Sequence, residues 1–401
     1  MKAAQIVTIK SFSPMFKDGE EARNIHIVNV EEHGFDIVAQ KSLYTIGEKA
    51  LFIEPDYCLS DLSIFQSYIA PEGDPKKSKL GKQNRIKAIK FNFTDTKGNK
   101  VYSNGILIPF QELDKQLDQL NQVAHHSLEE QLENLDGWLN ITKYEEPEGK
   151  LNGDAKGSLP LGVYKTDETN FNKKIKDLEA ILPCTLIGTT KIDGSSISIY
   201  YKNPQEYGIT SRNLEKKLTT DSYPGFVKFY DRELQKQVWK KDDLIVEDIK
   251  QYFIDNNLVV EQRPANDDWV ILGTPILEKL IEYNKPLVVR GEIYGQSLKG
   301  SGNKNNPHAI LPKSIAVFGI DDYSSGVAIP LPMKEVDKIC QELNLPFVNV
   351  VFIKQFTSIE ETKDTCNEYF NNNFVEGLVI RSYDTNNYSA KYMHNEYDSR
   401  K

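Results

Sequence analysis

Thr189-Thr190-Lys191-Ile192-Asp193-Gly194-Ser195-Ser196-Ile197-Ser198-Ile199 sets a lysine and an aspartate two residues apart, then a glycine, then an alternating run. From Ser195 onward, serine alternates with isoleucine, the period of a strand with one buried face. Gly194 predicts a turn between the lysine and that strand, because glycine accepts backbone conformations that other residues resist. A lysine here is a candidate nucleophile, since nearby cations or partial burial lower its pKa and expose the lone pair. Asp193 has a short arm suited to a metal ion, reached through water. A lone K-x-D-G occurs by chance in many proteins, so the segment needs companions.

The companions follow in order. Val289-Arg290-Gly291-Glu292-Ile293-Tyr294-Gly295 puts one carboxylate after an apolar strand and between two glycines. An ionised acid there accepts hydrogen bonds from ribose hydroxyls. Ile315-Ala316-Val317-Phe318-Gly319-Ile320 is an apolar strand with one aromatic ring able to stack on a purine. Phe374-Val375-Glu376-Gly377-Leu378-Val379-Ile380-Arg381 places another carboxylate before a hydrophobic strand, and Tyr388-Ser389-Ala390-Lys391-Tyr392 offers a point charge for a phosphate. Singly, Phe318 reads as core, Glu292 and Glu376 as exposed strand ends, and Lys391 as a surface residue. The joint occurrence shifts the odds.

The first third of the chain reads as β. Asn24–Val30 is a strand with Ile25, Ile27 and Val30 facing inward, and the break at 31–34 followed by Phe35–Ala39 predicts a hairpin. Ala50–Glu54, Arg85–Phe91 and Gly105–Pro109 complete five short strands. That number and spacing suit a small closed barrel such as the OB-fold. From Gln111 to Asn140, Leu113, Leu117, Leu120, Val123, Leu128, Leu132 and Leu135 recur at helical spacing. The polar stretch from Glu145 to Gly157 is the expected linker. The remainder mixes strands with helices such as Asp243–Asn256.

The 401 residues suffice for two cores, and 39% hydrophobic with 27% charged residues is ordinary globular composition. No apolar run is long enough for a bilayer and the N-terminus is too quickly polar for a signal peptide, so the expected compartment is the cytoplasm. Cys58, Cys184, Cys340 and Cys366 show neither zinc nor disulfide spacing and read as reduced thiols. The six histidines show no ligand spacing; adjacent His125 and His126 do not share a helix face. Net charge is −9, yet Lys76 to Lys90 carries seven basic residues and no acid. That run, with Lys82, Arg85 and Lys87 as its candidate phosphate contacts, is either a solvated loop or a local nucleic-acid surface.

Taken together, Lys191-Ile192-Asp193-Gly194, Arg290 to Gly295, Val317 to Ile320, Glu376 to Ile380 and Lys391 resemble the ordered motifs of the covalent nucleotidyltransferase superfamily, which contains DNA ligases, RNA ligases and capping enzymes. Tyr207-Gly208-Ile209-Thr210-Ser211-Arg212-Asn213-Leu214 resembles a Ser-Arg-Asn segment of RNA ligases. Gly47 to Asp56 and Tyr102 to Pro109 resemble the type with an N-terminal OB domain. The resemblance implies an α+β chain: an OB-like nucleic-acid-binding barrel over 1–115, a helical segment and linker over 116–158, and over 159–401 a nucleotidyltransferase domain, ATP-grasp-like, of mainly antiparallel sheets with flanking helices. It implies an ATP-dependent RNA ligase joining 3′-OH and 5′-phosphate ends in nick repair, acting as a monomer on nicked duplex RNA or an RNA–DNA hybrid. The implied catalytic residues are Lys191, Asp193 and Lys391. Backbone groups of Thr190 and Ile192 read the adenine edge, Glu292 the ribose, Phe318 stacks on the base, Lys391 meets the α-phosphate, and Arg212 the nucleotide or the 3′-OH end. Asp193, Glu292 and Glu376 form the implied Mg²⁺ or Mn²⁺ set.

Three segments depart from the family pattern. Thr190 stands where an acid is usual, Asn170 and Asn172 where Arg and Gln are, and Met393 where a second lysine is, with Arg400 or Lys401 as candidate substitutes. They motivate the alternative of an end-binding protein that keeps the fold without efficient catalysis. The chain stops soon after Lys391, which leads us to expect no C-terminal OB domain and so neither a capping enzyme nor a DNA ligase. Deleting residues 1–115 is expected to spare adenylylation and impair sealing.

Overall fold

In the computed structural model, which describes residues 2–121, 127–144, 155–232, 235–298 and 305–400, the N-terminal strands form one antiparallel sheet in the order Ile106–Pro109, Lys49–Ile53, Ala4–Ser13, Ile25–Val30, Ile37–Gln40. Its two outer edges curl towards each other: the Asn104 N–H donates to the Asp36 carbonyl at 2.8 Å and the Val38 N–H to Ser103 Oγ at 3.0 Å. The sheet is thus nearly closed, around Val7, Ile9, Val28, Val30, Phe35 and Phe52. One strand is unforeseen and one strand expectation changes. The long first strand, Ala4–Ser13, carries a bulge between Ile9 and Ser11 that bends it across the barrel, and this irregularity hides its alternation. Residues 85–88 are not a strand. Ile89–Thr94 is, and it belongs to a separate four-stranded sheet.

The helical expectation for 111–140 resolves into Phe110–Leu120, Leu128–Glu133 and Leu135–Trp138. Leu113, Leu117, Leu135 and Leu139 pack on Leu51, Ile53 and Ile108, on the outer face of the barrel. Val123, His125, His126, Lys401 and residues 145–154 of the expected linker lie outside the described residues.

Beyond the linker, the two largest sheets are antiparallel. The larger runs Ala155–Ser158, Leu214–Lys216, Glu206–Ser211, Ser195–Asn203, Leu287–Tyr294, Ser314–Asp322, Ile329–Pro330. The smaller runs Val350–Phe356, Cys184–Lys191, Gly377–Ser382, Ser389–Met393. Ile197, Ile199, Ile209, Val289 and Ile293 of the larger sheet pack on the helix Asp268–Tyr283 through Ile276, Leu277 and Leu280. Leu186, Leu378, Ile380 and Ala390 of the smaller pack on Phe171, Leu178 and Cys366, the last from the helix Ile359–Asn372. The expected helix over 243–256 is a strand Leu244–Val246 and a shorter helix Ile249–Asp255, in a small lobe with its own core of Tyr223, Val246, Ile249 and Phe253. The chain is therefore α+β with mainly antiparallel sheets. No helix among the described residues is long and apolar enough to cross a membrane. Cys58, Cys340 and Cys366 are buried and Cys184 half-buried, all four as free thiols.

Arg290 fixes the inner face of the larger sheet. Only 2% exposed, it donates from Nε to Asp321 at 2.8 Å and from Nη1 to Ser198 Oγ and the Tyr164 carbonyl, both at 3.0 Å. Arg290→Ala would strand the Asp321 carboxylate in a site whose burial already raises its pKa. We expect a loss of about 3–5 kcal/mol of unfolding free energy by urea titration. A loss below about 1 kcal/mol would show that the pair is not holding the sheet.

Candidate active site

The site is built by strand register. Lys191, the last residue of its strand, lies opposite Gly377, and Val379 lies between Thr189 and Lys391. Residues opposite one another in a ladder share a face. Lys191, Arg381 and Lys391 therefore project on one side of the smaller sheet, away from the Leu186–Leu378 core. Glu376 precedes Gly377, so its carboxylate meets the lysine: Lys191 Nζ donates to Glu376 Oε2 at 2.6 Å. Glu376 is 5% exposed, and the lysine side chain keeps 26% of its surface.

Gly194 is needed for a reason the sequence did not suggest. It is absent from the positive-φ glycines. A Cβ there would lie 2.3 Å from the Ile293 carbonyl oxygen and 3.0 Å from Glu292 Cγ. The bare backbone lets the Gly194 N–H donate to the Glu292 carboxylate. Asp193 is buried, with Tyr397 Oη donating to its Oδ2 at 2.8 Å and Asn306 Nδ2 to its carbonyl at 2.6 Å. Burial, opposed by Lys191 and reinforced by Glu376 and Asp193, pushes the Glu292 carboxyl up to about 8.

That shift has a thermodynamic consequence. Both folded and unfolded forms hold the Glu292 proton well below 4.5, whereas between 4.5 and about 8 only the folded form does. Stability from this group is full at low pH and lost as pH rises through that window. Glu292→Gln is neutral throughout. We expect its melting temperature to gain on the wild type by several degrees between pH 5 and pH 8, read by parallel thermal melts. A constant difference across that range would contradict it.

Phe318 stands half-buried on the strand Ser314–Asp322. Arg381 crosses from the smaller sheet to it, donating from Nη1 to the Phe318 carbonyl at 2.9 Å with its guanidinium 5.7 Å from the ring centroid. Glu168 anchors that arginine at 2.7 Å. Burial alone would raise the Glu168 carboxyl, but Arg381 and Ser389 outweigh it and hold it low. Thr190 turns to the other face, where Asn349 Nδ2 donates to its Oγ1 at 3.1 Å and its N–H donates to the Asn349 carbonyl at 3.0 Å. Ile192 is half-buried between the strands Cys184–Lys191 and Ser195–Asn203.

The barrel contributes directly. Lys391 Nζ lies 3.4 Å from Asp56 Oδ2, and its N–H donates to the Thr169 carbonyl at 2.8 Å. Arg212 lies 3.7 Å from Asp167, which Lys143 also pairs with. Burial, with Lys391 and Arg212 close by, holds the Lys143 ammonium below the ordinary lysine range. Lys143, Lys391 and Arg212 thus form a cationic group at the junction of barrel and sheets. Sequence reasoning missed Lys143, and its place just before the linker gave no signal. Asn170 bridges to Lys391, and its side chain accepts from the Asn172 N–H at 2.9 Å. Met393 lies opposite Gly377.

The basic run divides. Lys82 is exposed. Arg85 is buried at 9% exposure, paired with Asp56 and with Asp398 at 3.4 Å. Lys87 reaches the Ser399 carbonyl at 3.3 Å. Arg85 and Lys87 therefore turn inward and hold the helix Asn395–Arg400, because Asp398 and the Ser399 carbonyl fold back on them.

Among the described residues, no three His, Cys, Asp or Glu side chains are arranged to hold an ion directly. The donor set suits a hard cation nonetheless. Asp193, Glu292 and Glu376 are all oxygen donors, with Asp193 and Glu376 close enough to raise Glu292, and Lys191 supplies the balancing charge.

A sequence model of the RNA ligase family matches residues 185–393, more than half of the 401. No curated protein sequence matches. Among solved structures the chain resembles a Naegleria gruberi RNA ligase mutant with AMP and manganese, at 19% identity and a TM-score of 0.68, covering 100% of this chain and 99% of that one. It likewise resembles that ligase with pyrophosphate, at 20% identity and a TM-score of 0.67, covering 99% and 98%. A third match is a mutant of it with ATP and manganese, at 19% identity and 0.65, covering 99% and 96%. At such identities the likeness is one of fold.

Proposed function

Since the chain belongs to the RNA ligase family, we propose that it joins RNA ends with ATP by way of AMP carried on Lys191. One observation carries the reading: the Lys191 amine lies 2.6 Å from Glu376 in a site that also holds Glu292 and Asp193. In this reading the Lys191 lone pair forms a bond to the α-phosphorus and pyrophosphate leaves with the electrons of the broken P–O bond. An oxygen of the RNA 5′-phosphate then displaces the lysine from phosphorus. Finally the 3′-OH attacks the activated 5′-phosphate, and AMP leaves.

Glu292 receives the ribose hydroxyls and Phe318 the adenine face, with backbone groups of Thr190 and Ile192 at the base edge. Lys391 neutralises the α-phosphate, and Arg212 with Lys143 faces the more distal phosphates or the 3′-OH end. Asp193 and Glu376, with Glu292 beside them, would hold Mg²⁺ or Mn²⁺, which supplies charge neutralisation at the transferred phosphoryl group. The division we propose keeps 1–115 as the nucleic-acid-binding part, 116–158 as the joining segment and 159–401 as the nucleotidyltransferase part. Exposed Lys82 is the surviving barrel candidate for phosphate contact. Nicked duplex RNA or an RNA–DNA hybrid is the proposed substrate.

The test is to incubate the protein with α-labelled ATP and Mg²⁺ or Mn²⁺ and run a denaturing gel. Label that survives denaturation, chased onto a 5′-phosphorylated RNA, supports the reading. Absence of label with either metal sinks it and leaves an end-binding protein.

A further inference from the structure

The last described helix, Asn395–Arg400, touches both halves of the molecule. On one side the Tyr397 hydroxyl donates to Asp193 Oδ2 at 2.8 Å, two residues from the Lys191 amine in sequence. Tyr397 is fully buried, its ring against Phe374 at 5.3 Å. On the other side Asp398 accepts from the Ala88 N–H at 2.8 Å and from Arg85 at 3.4 Å. Lys100 pairs with Glu396 at 3.2 Å, and Lys87 donates to the Ser399 carbonyl at 3.3 Å. The helix springs from the nucleotide site itself, since the His394 N–H donates to the Glu376 carbonyl at 2.9 Å.

Adjacent residues of a short helix face different ways. Here one faces the Asp193 carboxylate and the next the barrel. A rigid turn between them transmits the position of one to the other. We propose that Tyr397 is a positioning residue for Asp193, and that the helix carrying it is a latch through which docking of the N-terminal barrel sets the geometry at Lys191. The inference rests on the lysine-adenylylation reading above. The hydroxyl orients the carboxylate through its Oδ2 oxygen. A buried carboxylate that loses such a donor adopts other rotamers. Asp193 then meets its cation less well, although its own chemistry is unchanged.

The test is single-turnover adenylylation of the full chain with labelled ATP, over a series of Mg²⁺ concentrations. The rate constant reports only folded molecules, while the amplitude reports how many there are. Tyr397→Phe keeps the ring and removes the oxygen. It is expected to lower the rate constant by about ten-fold, the effect of losing one hydrogen bond to a charged group, and to raise the Mg²⁺ concentration needed for half-maximal rate. Asp398→Ala, which releases the barrel side, is expected to lower the same rate constant. The double variant is expected to be no slower than the slower single one, because both cuts open one linkage. A Tyr397→Phe rate constant and Mg²⁺ requirement equal to wild type, with only amplitude reduced, overturn the positioning role. Multiplying effects in the double variant overturn the latch. No labelling of the wild type overturns the functional reading and this inference with it, whereas normal wild-type labelling with an unaltered Tyr397→Phe overturns this inference alone.

Discussion

Lys191→Arg is expected to abolish covalent labelling by α-labelled ATP as completely as Lys191→Ala, to the level of a blank. Arginine keeps the charge and can keep the ion pair with Glu376, but it has no lone pair to give at neutral pH. The present geometry shows what activation demands. Nζ lies 2.6 Å from the Glu376 carboxylate, and a neighbouring anion favours the protonated amine. Glu376 cannot hold the ammonium and a cation equally well. Were it to turn to a divalent ion, its release from Lys191 would remove the anion that favours the protonated amine. On the proposed adenylylation reading, one carboxylate would thus keep the lysine quiet without nucleotide and would free it once metal and nucleotide arrive. A strand supplied already adenylylated at its 5′ end bypasses the amine. Both Lys191 variants are therefore expected to seal such a strand within an order of magnitude of wild type, provided the fold is intact. Residual labelling of Lys191→Arg comparable to wild type would place the adduct elsewhere.

Much of this site was legible because strand ends carry it. Lys191, Glu292, Phe318, Glu376 and Lys391 each sit in or next to an apolar run whose period is visible, so their order along the chain survives folding. The same logic found four of the five barrel strands and failed on Ala4–Ser13, where a bulge breaks the period. It failed differently at Arg85 and Lys87. A run of cations without acids looks like a free surface only while the acids stay out of view, and Asp398 lies 313 residues from Arg85. Asp56 and Lys391 are separated by 335 residues. Pairings at that range leave no local period, cap or turn to read. Tyr397 was invisible for the same reason, since nothing in Asn395–Arg400 hints at a hydroxyl aimed at Asp193. Gly194 was singled out correctly, but it does not use the left-handed backbone conformation that only glycine adopts freely. Its role is close approach, which depends on a strand about a hundred residues later.

These long-range pairs reverse the expectation for deleting the barrel. Taken as an independent module, residues 1–115 were expected to be dispensable for adenylylation. A cut at 115, however, passes through the helix Phe110–Leu120 and parts Leu117 and Leu135 from Leu51 and Ile108. The cleaner cut removes residues 1–144, and even that strips several partners from the second part. Lys391 loses Asp56, Asp398 loses Arg85 and the Ala88 N–H, Lys173 loses Glu54, and the cationic group loses Lys143. None of these breaks the two-sheet core, so the fragment 145–401 is expected to fold, with a cooperative melt of its own. What it lacks is the clasp on Asn395–Arg400, and a six-residue helix has little intrinsic stability without one. Its fraying carries Tyr397 away from Asp193. Adenylylation by the fragment is therefore expected to fall by at least an order of magnitude, and sealing of a nicked duplex further still. A folded fragment that labels itself at the wild-type rate would mean that the barrel's contacts with Lys391 and Asp398 are packing alone, and that the nucleotide site is complete without them.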